Sequence, residues 1–394
     1  MKTAIVRGFS YPFVSLAVLV DERPPHRIKT ACHRQRPFQI CPSLLVCRPR
    51  QTTPPTMLKT KTESKPLVVT VKPIDPPSSK TKTSKSDRFL SALPASWRPY
   101  VELTRFQKPA GLFGFYFPYT IGIFFAASIA DPLPPWSWVG SLLAIYLMDC
   151  VLLRSFGCAW NDTVDQDLDR QVARCKNRPL ARGAVSTTGA VVLTAVLTAM
   201  RMGMIYALLP LPATYHAILT TTLGFIYPFM KRVSNYPQVC LGIAVGWAIF
   251  QACASVEGVG DLFSGPNSNA VMAMFASTTM WNVTYDTVYA FQDLKDDLNA
   301  GVMSLAVRIR HHAKAVLTLF TTAMIGLLFT AGVVAEFSTL FFIGATGASL
   351  AAYTMLFKLD INDPKSCCWF FVMGQWYVSG FVLMGLVGEY ALAA

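Results

Sequence analysis

The sequence predicts an all-α integral membrane protein, in which nine transmembrane helices follow a disordered N-terminal extension. Three observations support this fold class. The 394 residues are 53% hydrophobic and only 14% charged, a composition too apolar for an ordinary soluble protein. From residue 109 onward the chain reads as successive apolar stretches near the length of about 20 residues that a helix needs to cross a bilayer. Basic residues fall in alternate loops, as expected for a multi-pass topology.

The basicity of the chain belongs to its first hundred residues. Residues 1–100 hold 18 of the 35 Lys and Arg but only 5 of the 22 Asp and Glu, so the remainder carries 17 of each and is neutral. The same segment holds 14 of the 26 prolines. Such a composition buries too little apolar surface to order itself. We therefore predict that residues 1–94 are a mostly disordered extension and that residues 95–394 form the folded domain.

The first 20 residues have a basic start and then a short apolar run, which is typical of a signal peptide. No small-residue cleavage site follows, and an Arg-rich, acid-poor leader is equally typical of a mitochondrial transit peptide. Met57 is an alternative start of translation. We favour the endoplasmic reticulum or another endomembrane as the location, with the mitochondrial inner membrane as the alternative.

The apolar stretches are separated by segments with turn chemistry. Pro, Gly, Asn and Asp cluster in "DPLPP" at 131, "LPLP" at 209, "GPNSN" at 265 and "NDPKS" at 362. The nine predicted spans are residues 109–130, 137–160, 187–209, 212–230, 237–256, 270–291, 313–334, 337–357 and 369–391.

The charge of the loops is an independent check on this count. The loops after spans 2, 4, 6 and 8 contain the basic residues, among them Arg170, Arg174 and Arg182, whereas the odd-numbered loops contain essentially no Lys or Arg. The positive-inside rule then places the even loops and the N-terminal extension on the cytosolic or matrix side. Arg201 is the exception, because it lies inside span 3 and must either reach the interface or face the interior of the bundle.

The first acidic cluster is "NDTVDQDLD", which follows span 2. Asn161, Asp165 and Asp169 are four residues apart, so on a helix they share one face. Asp162 and Asp167 fall on other faces and are equally compatible with solvated loop charge. Carboxylates placed so closely beside a membrane repel one another and require cations.

The second cluster is "YDTVYAFQDLKDD", which follows span 6. Asp286, Tyr289, Asp293 and Asp297 follow a helical stripe, while Asp296 lies off it. Tyr289 is as compatible with packing as with a role in the site. The loop count places this cluster on the same side of the membrane as the first.

Two carboxylate stripes that face each other are suited to Mg²⁺. This ion prefers oxygen ligands and is held by one or two carboxylates together with substrate phosphate oxygens and water. One ion at each cluster would hold a diphosphate between them. Basic residues near the clusters supply further partners for phosphate oxygens: Lys176, Arg178, Lys231 and Arg232.

These motifs resemble those of UbiA-type membrane prenyltransferases. "NDTVDQDLD" is similar to the first family motif, NDxxDxxxD, and "YDTVYAFQDLKDD" to the second, DxxYAxxDxxxD. "YPFMKR" at 227 and "RFQKPAG" at 105 also resemble family positions. The resemblance covers about residues 95–394 and no departure from the motifs is visible.

The resemblance implies a fold of nine helices around a central cavity and a Mg²⁺-dependent reaction. An isoprenyl diphosphate ionises, and its allylic cation alkylates an aromatic acceptor. Carried over position by position, Asn161, Asp165 and Asp169 hold one ion and Asp293 and Asp297 the other. The predicted catalytic residues are the four metal-binding aspartates and Tyr289. Lys176, Arg178, Lys231 and Arg232 are candidates for binding the diphosphate.

Three functions fit these observations. The segment "RQVARCKNRPLARGAVS" resembles the fungal branch of the family, which farnesylates polyketide-derived phenols in meroterpenoid biosynthesis. The alternative is a mitochondrial 4-hydroxybenzoate polyprenyltransferase of ubiquinone biosynthesis. A transporter is the alternative from another class, because intramembrane acids also mark ion pathways. The expected partners are the isoprenyl diphosphate, the aromatic acceptor and the lipid bilayer, with no nucleic acid and no obligate protein partner.

Overall fold

The computed structural model describes residues 85–394, which fold as an array of helices with no strand in that range. The predicted disordered extension therefore lies outside the described residues up to position 84, as does the leader at its start. The helices are α1 (Lys85–Ser91), α2 (Arg98–Leu103), α3 (Ala110–Ile129), α4 (Trp136–Val164), α5 (Gln166–Asp169), α6 (Thr187–Leu208), α7 (Leu211–Val233), α8 (Pro237–Gly246), α9 (Ala248–Cys253), α10 (Ser268–Ala290), α11 (Leu294–Ala300), α12 (Leu305–Ile309), α13 (Ala313–Val334), α14 (Thr339–Lys358) and α15 (Pro364–Ala393).

Every predicted span coincides with helix, and the prediction of an all-α fold is confirmed for residues 85–394. Six helices of this range, α3, α4, α6, α13, α14 and α15, are long and apolar enough to cross a membrane. The other predicted spans correspond to α7 and α10, which are long but less apolar, and to the short pair α8 and α9. The count of nine transmembrane spans remains a prediction.

Local sequence explains where these helices begin. Ser186 caps α6 because its hydroxyl accepts a hydrogen bond from the Gly189 N–H at 3.1 Å. Asp363 caps α15 in the same way through the Lys365 N–H at 3.0 Å, with Pro364 in the first turn, where a missing N–H costs nothing. The turn signal "LPLP" lies between the end of α6 and the start of α7, and "NDPKS" lies at the start of α15, so both mark real helix boundaries.

Close helix packing depends on small residues. A Cβ atom added to Gly344 of α14 would lie 2.6 Å from the Phe381 carbonyl oxygen of α15. One added to Gly385 of α15 would lie 3.0 Å from the Phe341 carbonyl oxygen of α14. These glycines let the two backbones approach, which is how helices gain packing energy where no hydrophobic effect drives them together.

Arg201 faces the interior of the bundle, one of the two placements that the sequence allowed. Its guanidinium is fully buried and pairs with the equally buried Asp149 of α4 at 2.7 Å. It also donates to the Thr221 hydroxyl at 2.5 Å and to the Ala217 carbonyl at 3.3 Å, both on α7. The charge inside α6 is thus neutralised and hydrogen-bonded, and it ties three helices together.

Candidate active site

The first acidic cluster lies where α4 ends. The helix continues to Val164 and breaks at Asp165, after which α5 runs from Gln166 to Asp169. The span predicted as residues 137–160 thus extends four residues further, and the four-residue spacing of Asn161, Asp165 and Asp169 did not predict the break. The one-sided arrangement survives the break, because the Asp165 N–H donates to the Asn161 carbonyl at 2.9 Å and the Asp169 N–H to the Asp165 carbonyl at 2.8 Å.

The second acidic cluster lies where α10 ends. α10 stops at Ala290, a 3-10 turn covers Phe291–Asp293, and α11 begins at Leu294. The predicted continuous stripe is therefore bent at Asp293, between Tyr289 on α10 and Asp297 on α11. The change of helix geometry lets the second cluster turn towards the loop that follows α5.

Arg174 joins the two clusters. It lies in the loop after α5, and its guanidinium forms a two-pronged ion pair with Asp293 in which the Nε–Oδ1 distance is 2.8 Å. It also donates to the Tyr289 hydroxyl at 2.9 Å, and the neighbouring Ala173 N–H donates to Asp296 at 2.9 Å. In the sequence, Arg174 is one of several basic residues in the loop after span 2. Its position among five basic residues gave no signal that singled it out.

Asp165 is buried and pairs with Lys231 of α7. The Lys231 ammonium bonds Asp165 Oδ2 and also donates to Asn161 Oδ1 at 3.2 Å. The second carboxylate oxygen, Oδ1, is buried and has no hydrogen-bond partner within the described chain. An unpartnered buried carboxylate oxygen is costly, so this atom is a natural site for a further cation.

Asp162 belongs to the same buried cluster, which its place off the helical stripe did not predict. It is 1% exposed and accepts from Arg105 at 2.6 Å and from Arg178 at 3.1 Å. Arg178 in turn bonds both oxygens of Asp169, at 2.8 and 2.9 Å. The loop that carries Arg105 is itself held by Arg154 of α4, which donates to the Arg105 carbonyl at 3.0 Å.

Three predicted residues lie at the periphery. Arg232 pairs with Asp167 at 2.6 Å, and both side chains are substantially exposed. Asp167 is therefore solvated surface charge, the second of the two interpretations left open for it. Lys176 is exposed. Its backbone N–H donates to the Val172 carbonyl at 3.0 Å, while its ammonium makes no hydrogen bond or ion pair with residues 88–394. Of the predicted diphosphate-binding cations, Arg178 and Lys231 are the ones placed against the buried carboxylates.

Burial raises the pKa of carboxyl groups in both clusters, including Asp169 and Asp297. Desolvation raises the pKa of the Asp169 carboxyl to about 6, although Arg178 opposes the shift. Desolvation, reinforced by the neighbouring charge of Asp293, raises the pKa of Asp297 to about 7. In contrast, the hydrogen bond from Arg232 lowers the pKa of Asp167. Buried Asp169 and half-buried Asp297 therefore keep their protons to a higher pH than ordinary carboxyl groups, and a metal ion would have to displace those protons.

We expect the apparent affinity for Mg²⁺ to rise with pH. Protons compete with the ion below a raised pKa, so affinity should increase by roughly 4-fold at the cluster of Asp169 and roughly 25-fold at that of Asp297 between about pH 5.5 and about pH 7.5, and then level off. Calorimetric titration of the purified protein with Mg²⁺ alone measures this without the titration of diphosphate. Asp167→Asn is the control and should keep the wild-type profile. A flat profile would contradict metal binding at these carboxylates.

The residues present fit Mg²⁺. No three His, Cys, Asp or Glu side chains of residues 88–394 are grouped as a ready-made metal cage. Such a cage is not expected, because Mg²⁺ keeps several waters and takes substrate oxygens beside one or two carboxylates. The free Oδ1 of Asp165 offers an oxygen ligand in the first cluster. The half-buried Asp297, which has no ion pair with the described residues, offers another in the second.

A pocket among α3, α10, α13 and α15 begins one helical turn from Tyr289. It extends from Tyr285 to Met274 along α10 and is mostly apolar. Phe113 and Phe117 of α3 line it. The other principal lining residues come from three helices: Trp281, Asn282, Met324, Leu328, Gln375, Val378 and Val382.

Comparison with known proteins identifies the class. The UbiA prenyltransferase family matches residues 115–380. The chain belongs to this family, so it is an enzyme that transfers prenyl groups, as the motifs predicted. The sequence therefore supports the enzyme over the transporter that we had kept as an alternative. Because family members are membrane proteins, the six apolar helices are assigned to a membrane.

Three curated relatives show the breadth of the family. The chain is 37% identical to the UbiA prenyltransferase claS of Ampulloclitocybe clavipes, over 80% of this chain and 95% of that protein. It is 35% identical to the DMOA farnesyltransferase nvfB of Aspergillus novofumigatus, over 69% of this chain and 84% of that protein. It is 34% identical to the mitochondrial 4-hydroxybenzoate polyprenyltransferase of Schizosaccharomyces pombe, over 70% and 75%.

The fold is that of solved UbiA structures. A UbiA homologue from Archaeoglobus fulgidus, bound to GPP and Mg²⁺, matches with a TM-score of 0.58 over 74% of this chain and 99% of that one. The sequence identity is 16%, so the likeness concerns the fold. It confirms that the helices adopt the predicted UbiA-like fold, while the count of nine transmembrane spans stays a prediction.

Proposed function

We propose that the protein catalyses Mg²⁺-dependent transfer of an isoprenyl group, farnesyl, from its diphosphate to an aromatic or polyketide-derived phenolic acceptor in meroterpenoid biosynthesis. One observation carries the proposal. Two acidic helix ends meet around Arg174, Arg178 and Lys231, and a mostly apolar pocket begins at Tyr285, one helical turn along α10 from Tyr289. This arrangement suits a ligand with a highly charged head and a hydrocarbon tail.

In this proposal the carboxylates hold the diphosphate through Mg²⁺. Asn161, Asp165 and Asp169 would hold one ion, and Asp293 and Asp297 the other. The bound ions would neutralise charge that develops on the leaving diphosphate. The buried Asp162 is better explained as the anchor of Arg105 and Arg178, since both of its cations contact one carboxylate oxygen.

The cations would exchange partners when the site fills. Lys231 and Arg178 are held against Asp165 and Asp169 in the structure. With metal held by those carboxylates, the Lys231 ammonium and the Arg178 guanidinium would be free to bind diphosphate oxygens, the guanidinium by two parallel hydrogen bonds. Lys176 and Arg232 lie further out and would contribute at the rim.

Tyr289 and Arg174 act together in this scheme. The Tyr289 hydroxyl accepts from Arg174, and the guanidinium carbon lies 5.2 Å from the centre of the tyrosine ring. The tyrosine ring also packs on Phe371, with the ring centres 4.4 Å apart. Tyr289 would therefore orient Arg174 towards the diphosphate, close to the carbon whose bond breaks.

The reaction is an electrophilic aromatic substitution. The C–O bond to the diphosphate breaks, and its electron pair leaves with the diphosphate. A ring carbon of the acceptor donates electrons to the allylic cation, and loss of the ring proton restores aromaticity. The pocket would exclude water that would otherwise trap the cation as an alcohol. The faces of Phe113 and Phe117 would stabilise positive charge beside them.

The proposal includes the topology. Nine transmembrane spans with the even loops on the cytosolic side would place both acidic clusters on one face, which the contact of Arg174 with Asp293 supports. We propose an endomembrane location, with residues 1–94 as an extension to the catalytic domain. The homology to a mitochondrial enzyme keeps the inner membrane as the alternative.

A 4-hydroxybenzoate polyprenyltransferase is the second candidate. The 34% identity to the S. pombe enzyme favours it, and it uses the same diphosphate chemistry. The two candidates differ in the acceptor and in the length of the prenyl donor. The relative nvfB is a DMOA farnesyltransferase, which supports farnesyl diphosphate as the donor.

Product analysis tests both candidates. Membranes that contain the protein are incubated with Mg²⁺, isoprenyl diphosphates of two, three, four and more units, and a panel of phenolic acids and pyrones that includes 4-hydroxybenzoate. We expect a farnesylated polyketide-type phenol by mass spectrometry, and no product with EDTA. Prenylated 4-hydroxybenzoate from a longer donor would identify the second candidate, and EDTA-resistant transfer would contradict the role of Mg²⁺.

A further inference from the structure

The pocket has two zones. Met274, Met324, Leu328 and Val382 line its deeper part. Trp281, Asn282, Tyr285 and Gln375 line the part nearer the acidic clusters, beside Gly114 at the start of α3. Trp281 lies eight residues from Tyr289 on α10, or about 12 Å along the helix axis. The polar zone thus lies between the acidic clusters and the apolar depth.

Two side chains of the polar zone have unpartnered buried groups. Gln375 is 2% exposed, and neither its amide oxygen nor its amide nitrogen has a hydrogen-bond partner in the described chain. Trp281 is 6% exposed, and its indole N–H is also without a partner there. The backbone of neighbouring glycines packs closely against both side chains. A Cβ atom added to Gly114 would lie 3.0 Å from the Gln375 amide nitrogen, and one added to Gly374 would lie 3.1 Å from the Trp281 ring.

Three polar neighbours of Gln375 and Trp281 already have hydrogen-bond partners. Asn282 donates to the Thr278 carbonyl at 2.7 Å, and the Tyr285 hydroxyl bonds Asn282 and the Gly114 carbonyl. Ser277 donates to the Met324 carbonyl at 2.9 Å. Gln375 and Trp281 are therefore the members of this zone that remain available to a ligand.

A hydrocarbon tail cannot use these groups. Covering them with hydrocarbon would leave two donors and an acceptor unpaired, which is unfavourable for each group. A ligand oxygen would satisfy them: the amide N–H and the indole N–H donate to a carbonyl or hydroxyl oxygen, and the amide oxygen accepts from a hydroxyl. No Lys, Arg or His lines the pocket in the described chain, so the recognised group is neutral.

We infer that Gln375 and Trp281 determine acceptor specificity by binding a neutral hydroxyl group on the acceptor ring. The inference rests on the proposed function, because it assigns the acceptor rather than the prenyl tail to the polar zone. The tail then fills the apolar depth. The acceptor ring lies between the aromatic faces of α3 and the α10 residues that lead to Tyr289.

Direct binding tests this independently of turnover. Calorimetry measures the affinity of the purified protein for 2,4-dihydroxybenzaldehyde and for 2,4-dimethylbenzaldehyde, in which methyl groups replace the hydroxyls. We expect wild type to prefer the dihydroxy compound by about tenfold or more, as one or two hydrogen bonds to buried groups imply. In Gln375→Met the preference should shrink to about threefold or less. Trp281→Phe, which keeps an aromatic ring but removes the N–H, should give an intermediate value.

Two controls separate recognition from structure. Thr321→Val, which removes a buried hydroxyl that is unpartnered in the described chain and does not line the pocket, should keep the wild-type preference. Gln375→Met should keep or raise the thermal stability of the ligand-free protein, because it removes an unpartnered buried amide. A stabilising structural role for Gln375 would instead lower stability and leave the preference intact.

The outcomes are distinct. An unchanged preference in Gln375→Met, or no binding of the dihydroxy compound to wild type, overturns the inference. The expected loss of preference supports it even if membranes give no prenylated product. In that case the proposed transfer reaction fails while the recognition site stands.

Discussion

Asp165→Asn is expected to reduce prenyl transfer by about a hundredfold or more, comparable to the loss of one preorganised charged group from an active site. Asp165 is 2% exposed, is bonded by Lys231, and has one buried oxygen free for a further cation. The amide keeps the shape of the side chain but removes the charge that would hold Mg²⁺. Product formation in membranes at saturating prenyl diphosphate, over a range of Mg²⁺ concentrations, measures the effect.

Asp167→Asn is the matched control. It makes the same change two residues away, on a carboxylate that is 55% exposed and pairs with Arg232 at the surface. We expect activity within about threefold of wild type, since exposed ion pairs contribute little. Equal losses in both variants would show that general negative charge, rather than the buried cluster, supports the reaction.

A second variant separates catalysis from folding. Asp165→Asn leaves Lys231 without its anionic partner, so the single variant combines a loss of metal binding with a loss of stability. Asp165→Asn with Lys231→Met removes both charges and should recover thermal stability while transfer stays abolished. Recovery of transfer in this double variant would contradict the assignment of Asp165 as a ligand.

Arg201→Met is expected to give the largest loss of stability, about 3–5 kcal/mol, because it leaves Asp149 as an unpaired buried charge. Both side chains are 0% exposed and lie within the apolar body of the bundle. Chemical unfolding of the purified protein in detergent, or the yield of folded protein where unfolding is irreversible, measures the effect. The acidic clusters are not altered directly, so the loss should appear in stability before it appears in affinity for Mg²⁺.

Removal of both charges should reverse most of this loss. Arg201→Met with Asp149→Leu replaces the ion pair by apolar side chains, which is often neutral or stabilising when packing is retained. Arg182→Gln, which breaks the exposed pair with Glu102 at 2.6 Å, is the control and should cost about 1 kcal/mol or less. A double variant no more stable than Arg201→Met would show that the pair itself specifies the packing of α4, α6 and α7.

Local patterns predicted most of the fold. The length of each apolar stretch reports a helix directly, and turn residues such as those of "LPLP" end helices through their own backbone chemistry. The break of α4 at Asp165 and the 3-10 turn at Asp293 were missed, because the four-residue spacing is compatible with an uninterrupted helix. Whether the less apolar α7 and α10 cross the membrane is a question that composition does not decide.

The sequence predicted which types of residue form the candidate site, but it did not predict which cation pairs with each carboxylate. Spacing separated Asp165 and Asp169 from Asp167 correctly in burial. It left Asp162 open between the site and solvated charge, and the structure shows it held in the interior by Arg105 and Arg178. Arg174 could not be distinguished from its basic neighbours. Its partner Asp293 lies 119 residues away, and no local pattern encodes such a contact.

The sequence alone determined that this protein has a helical membrane body, a polar basic extension and two acidic segments of the UbiA type. These features depend on composition and on spacing along a single helix, which are local quantities. The tertiary structure alone decided which cation neutralises each carboxylate, that Arg201 meets Asp149, and that Gln375 and Trp281 line the pocket with unpartnered groups. Those facts depend on which distant helices pack together, because a contact between two helices contributes free energy only when the helices are packed.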